Sequence, residues 1–101
     1  MTHYRATFSD GSTKEIANSK REYGFGWKAW GTTENGRELV WAGFARTREL
    51  AEKSGTSEAN FHLKAKIRRE GRIVRKNGVL HRVEVVPVEI VPEGKKEGQG
   101  R

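Results

Sequence analysis

Three dipeptides, Asp10-Gly11, Asn35-Gly36 and Asn77-Gly78, interrupt short runs in which apolar and polar residues alternate. Such pairs tolerate the left-handed backbone of tight hairpin turns, so they constrain the chain to fold largely as antiparallel hairpins. Before the first pair, Tyr4, Ala6 and Phe8 alternate with Arg5 and Thr7, the pattern of a half-buried strand. A three-residue loop at Ser9-Asp10-Gly11, with Gly11 left-handed, puts Ile16 on the face of Tyr4 and Phe8; a two-residue loop would put it on the other. Around the second pair, Trp27 to Thr32 and Leu39 to Phe44 read as strands. A two-residue turn there sets Trp30 opposite Trp41 and Glu34 against Arg37. Ile73-Val74 and Val79-Leu80 flank the third pair, and Val83, Val85 and Pro87 to Val91 continue as extended chain. Pro87 has no amide hydrogen to donate, which assigns it to a sheet edge or a bulge.

Between the second and third pairs the spacing becomes helical. Thr47 is placed to cap a helix over residues 48–54, closed by Gly55. Thr56 or Ser57 then caps a second helix over 57–70, with Glu58 near its positive N-terminal end and Gly71 beyond it. Ala59, Leu63 and Ile67 form its apolar stripe, with Phe61 off the stripe. Earlier, Ser19 is placed to cap a short helical turn, which Gly24 and Gly26 keep from growing. The expectation is one small α+β domain over residues 1–91. It has antiparallel hairpins at about 3–17, 27–44 and 72–91, two helices, and a flexible basic tail over 92–101.

Composition narrows the function classes. At 101 residues, with 34% hydrophobic and 33% charged side chains, the chain supports one modest core, built around its three Trp and other rings. Cysteine is absent, which excludes disulfides and thiolate metal sites. His3, His62 and His81 lie apart without metal-ligand spacing, and no carboxylate pair or phosphate loop stands out. Neither a catalytic constellation nor a cofactor or metal site is therefore expected, and the reading is of a binding protein. No apolar run approaches the roughly 18 residues of a membrane span, and Met1-Thr2-His3-Tyr4 begins no signal peptide, so cytoplasm is the expected location.

The net charge of +7 favours polyanionic partners, nucleic acid or an acidic protein surface. Much of it is concentrated: Lys64, Lys66, Arg68, Arg69, Arg72, Arg75, Lys76 and Arg82 fall in one stretch, with Glu70 the only acid between Lys64 and Lys76. At helical spacing Lys64, Arg68 and Arg72 would line one face. These eight are the candidate nucleic-acid contacts, since cations so crowded repel one another until phosphates neutralise them. The competing function is a module that docks on a protein partner through exposed rings, for which Tyr23, Phe25, Trp27, Trp30 and Trp41 are the candidates.

Two resemblances bear on these readings. Arg48 to Lys53, the turn Ser54-Gly55-Thr56, Phe61 to Ile67 and the Asn77-Gly78 wing resemble a winged helix-turn-helix unit over residues 47–85. That likeness implies Ser57, Glu58 and Asn60 in a major groove, although Lys64 and Thr56 depart from the family's apolar positions. Tyr4 to Phe8 with Asp10-Gly11, Ser19 to Tyr23, Gly43 to Thr47 and Val85 to Val88 are similar to small, uncharacterised accessory proteins of actinobacterial phages. This second likeness implies action inside an infected bacterium, on phage or host DNA or on a host protein, and carries over no catalytic residues.

Overall fold

The computed structural model describes residues 2–92. Strands β1 (Thr2–Thr7) and β2 (Thr13–Ser19) form the first hairpin, reversed as expected by three residues with Gly11 at φ +87°. Phe8 N–H donates to Ser12 O and Gly11 N–H to Phe8 O, each at 2.9 Å. Tyr4 faces Ile16, the partner the longer loop gives it. No helical turn follows at Ser19. Its hydroxyl instead closes a bend, donating to Arg21 O at 2.7 Å and accepting from Arg21 N–H at 3.2 Å.

Strands β3 (Phe25–Thr32) and β4 (Glu38–Ala45) form the second hairpin, but its turn is one residue longer than Asn35-Gly36 suggests. Thr33 N–H donates to Arg37 O at 2.8 Å and Gly36 N–H to Thr33 O at 2.9 Å, with Gly36 at φ +88°. Trp41 therefore faces Ala29, Trp30 faces Val40, and Glu34 lies in the loop rather than against Arg37. A slip of one residue moves every side chain of a strand to the other face. Here it turns Trp41 to the side of Trp27 and Ala29, which the helix covers.

The two expected helices are one. Helix α1 runs unbroken over Arg48–Lys64, with Thr47 Oγ1 accepting from Leu50 N–H at 3.1 Å. Gly55 does not terminate it, because Gly55 is the point of closest approach to the sheet. A Cβ there would lie 2.8 Å from Val83 Cγ1 and 3.1 Å from Trp27 Cε3. With Ala51, Ala59 and Leu63 it makes a buried stripe at intervals of four, small enough to seat the helix on the β-sheet. Ala29, Ala45 and Trp27 complete that core, flanked by Phe25, Trp41, Leu80, Val83 and Val85.

Beyond Lys64 the chain is extended, so residues 66–70 are not helical. Strands β5 (Lys66–Arg69) and β6 (Arg72–Arg75) pair with each other around Glu70 (φ 53°) and Gly71 (φ 78°), a two-residue left-handed turn. The third expected hairpin, over 72–91, is thereby replaced. Asn77-Gly78 is not a hairpin turn but packs on the end of α1, where a Cβ on Gly78 would lie 2.9 Å from Leu63 Cδ2 and Leu63 O. Gly78 N–H donates to Leu63 O at 3.0 Å, Lys76 N–H to Ala65 O at 3.1 Å and Lys76 Nζ to His62 O at 3.3 Å. The segment thus satisfies carbonyls that a helix end leaves open.

Strand β7 (Val79–Pro87) pairs with the free edge of β3, with a bulge between Trp30 and Gly31, and β8 (Glu89–Ile90) pairs with β1. The sheets have the orders β2-β1-β8, β4-β3-β7 and β5-β6. Pro87 ends an edge strand, where a missing N–H costs least, and the chain crosses there between the first two sheets. Tyr4, Ala6 and Phe8 form a second, smaller core, with Ala6 and Phe8 against Gly26 and Tyr23 wedged between Tyr4 and Phe44. The architecture is a small α+β domain, mostly antiparallel strands with one helix. Apart from Pro92, the expected tail lies outside the described residues.

Candidate nucleic-acid interface

The basic stretch folds into an arm. The hairpins β1–β2 and β3–β4 each pack on further elements through at least one strand, whereas β5 and β6 make their substantial contacts only with each other. Directly opposed residues share a face of a ribbon, which sorts the side chains. Lys66, Arg68, Ile73 and Arg75 lie on one face, all exposed. Ile67, Val74, Arg69 and Arg72 lie on the other, with Ile67 and Val74 half-buried towards the body. The helical line of Lys64, Arg68 and Arg72 does not exist, since Lys64 ends α1 and the two arginines sit on different strands and faces.

Among the eight candidate cations the structure makes distinctions that the sequence hides. Arg69 is tied down: its Nη2 donates to Glu34 Oε2 at 2.6 Å, while Asn77 N–H donates to Glu34 Oε1 at 3.1 Å. The Arg69 hydrogen bond, then that of Asn77, holds the Glu34 carboxyl below its ordinary range. Glu34 thus fastens the turn end of the arm, where Arg69 adjoins Glu70-Gly71, to the β3–β4 loop, while at the arm's base Arg75 Nη1 reaches Lys64 O at 3.5 Å. Lys76 is half-buried at the helix end. Arg82 leaves the group altogether: it stacks on Trp30 at 3.8 Å, on the sheet face away from α1, with Glu84 3.9 Å away. Among the described residues, no carboxylate lies within 4 Å of Lys66, Arg68, Arg72 or Arg75. The sequence sets Glu34 against Arg37 beside the Asn-Gly turn and gives it no part in the site.

Of the five candidate docking rings, Trp27 is buried and the other four are half-buried. Trp27 is 6% exposed at the centre of the core. Trp41 packs on that core and stacks with His62 at 5.6 Å, while Phe25 lies under Arg48 at 5.1 Å. Trp30 has Arg82 on it and Lys28 Nζ at 5.2 Å, and Tyr23 meets Tyr4 and Phe44 edge-on or tilted. The ring that does face solvent is Phe61, 68% exposed on the outer side of α1.

The helix-turn-helix likeness lacks its turn. Ser57, Glu58 and Asn60 lie within an unbroken helix, and the hairpin that follows is β5–β6 rather than a wing at Asn77-Gly78. The histidines serve local contacts: His3 with Glu15 at 2.7 Å, His62 with Glu58 at 3.2 Å and His81 with Thr32 at 2.7 Å. Among the described residues no three His, Asp or Glu side chains gather as a metal site, and no helix is long and apolar enough to cross a membrane. No protein-family model, no curated protein and no solved structure matches the chain.

Proposed function

We propose that this protein is a nucleic-acid-binding accessory protein, not an enzyme, and that the β5–β6 arm is its contact. The observation that carries the reading is an arm whose Lys66, Arg68, Arg72 and Arg75 have no carboxylate partner among the described residues, while Arg69, beside the turn, is held by Glu34. Cations held together without counter-charges repel one another, and a phosphate backbone relieves that repulsion while releasing its own condensed ions. A solvated face would need no such projection from the body. The likeness to accessory proteins of actinobacterial phages makes phage or host DNA the natural target.

Salt dependence is the test. Four free cations, each displacing about 0.9 counterion per phosphate, give a log–log slope of roughly −3.6. Affinity should then fall roughly 150-fold between about 50 and 200 mM salt. Replacing Arg68, Arg72 and Arg75 together with Ala should flatten the slope to roughly a quarter of that. Arg82→Ala, off the arm, should leave the slope unchanged. Wild-type protein that retards neither DNA nor RNA at about 50 mM salt would end the proposal.

A further inference from the structure

Resting on that reading, we infer that the arm's ligand is double-stranded B-form DNA, entered through the major groove with Lys66, Arg68, Ile73 and Arg75 against the base edges. Three features of the arm converge on this ligand.

The first is shape. A two-stranded ribbon closed by a two-residue turn is narrow to its tip, because Glu70 and Gly71 reverse the chain without a wider loop. The B-form major groove, about 12 Å wide, admits such a ribbon. The A-form major groove of duplex RNA is too deep and narrow for side chains to read.

The second is the chemistry of the outer face. Ile73 is 64% exposed, directly across from Arg68 and flanked on its own strand by Arg75. An apolar side chain between cations suits a surface that alternates methyl groups with acceptors. Thymine offers its C5-methyl in the major groove, and guanine offers O6 and N7 to a guanidinium fork.

The third is what the arm lacks. Single strands are held by successive bases stacking on aromatic rings. No residue of β5 or β6 is aromatic, and the rings of the body are in the cores or under cationic side chains. Phe61 is a lone exposed ring on α1, which offers no path for successive bases.

The experiment is equilibrium binding of the full chain to duplex DNA, duplex RNA and single-stranded DNA of equal length, at one salt concentration. It is accompanied by displacement with methyl green, which occupies the major groove, and netropsin, which occupies the minor. Duplex DNA should bind roughly tenfold or more tightly than the other two, and methyl green should displace the protein where netropsin does not. Ile73→Ala, at an exposed site where folding is not at stake, should weaken duplex-DNA binding several-fold and leave the salt slope unchanged. Equal affinity for single strands or RNA, displacement by netropsin alone, or an Ile73→Ala variant that binds like wild type would each overturn the inference and leave nucleic-acid binding standing. Binding to none of the three would overturn both.

Discussion

Gly55→Ala is the substitution for which local and tertiary structure give opposite signs. In the interior of a helix the change should stabilise by about 1 kcal/mol, because Gly is the costlier residue there. Gly55 has helical backbone, so no left-handed strain enters. The new methyl, however, would sit 2.8 Å from Val83 Cγ1 and 3.1 and 3.4 Å from Trp27 Cε3 and Cδ2. The indole is buried and cannot swing away, and Val83, half-buried on β7, packs against the same core, so the methyl must push α1 off the sheet. Overpacking of this kind costs about 1–3 kcal/mol. The net expectation is destabilisation by about 1 kcal/mol, a fall in Tm of about 4–8 °C for a domain of this size.

A thermal double-mutant cycle with Val83→Ala isolates the cause. Removing Val83 Cγ1 removes the nearest clash, so the double variant should be more stable than the two single losses imply. A favourable coupling of about 1–2 kcal/mol is expected, within the range for residues in contact. Were Gly55 instead the turn between two helices, Ala would cost backbone strain and the coupling to Val83 would vanish. A rise in Tm for Gly55→Ala, or a coupling under about 0.5 kcal/mol, would refute the single-helix packing described above.

Two further outcomes follow from the surface. Asp10 accepts from Lys28 Nζ, then from the Ser12 hydroxyl and amide, and these bonds hold its carboxyl well below the usual range. A depressed folded-state value means stability that is present above the unfolded value of about 3.9 and lost as pH falls towards the folded one, so thermal melts from about pH 6 to 2.5 should show a steep acid decline that Asp10→Asn makes shallower; superposable profiles would sink the assignment. Glu70 occupies a left-handed position at φ 53° and is the only carboxylate between Lys66 and Arg75, so Glu70→Asn should relieve about 1 kcal/mol of backbone strain and tighten DNA binding, measured by melts and by titration at fixed salt.

What the sequence carried, and what it could not, divides along a physical line. The first hairpin was readable in detail because one loop length alone puts Ile16 on the face of Tyr4 and Phe8, so the core itself decides the register. The second was placed correctly and mispaired by one residue. Asn35-Gly36 suits both a two-residue turn and a longer loop with Gly36 left-handed, and a Trp30–Trp41 pair made the wrong register attractive. Only the demand that Trp41 join Trp27 beneath the helix separates them, and that demand is tertiary. Glycine raised the same difficulty twice more. Gly55 and Gly78 were read as punctuation, yet both are there because a Cβ would strike Val83 or Leu63. A glycine needed for close approach and a glycine needed for a turn look alike in one dimension.

The basic stretch shows the complementary case. That the cations cluster was legible, because charge adds up regardless of geometry. Which of them are free was not, because that depends on pairing parity. Ile67 and Ile73-Val74 on either side of Glu70-Gly71 already had the look of two β-branched strands around a turn, a signal that the helical spacing of Ala59, Leu63 and Ile67 overrode. Once β5 and β6 pair, alternation sends Arg69 towards Glu34 and Arg68 away from it, although the two are neighbours in sequence. The same alternation that hides Ile67 and Val74 exposes Ile73.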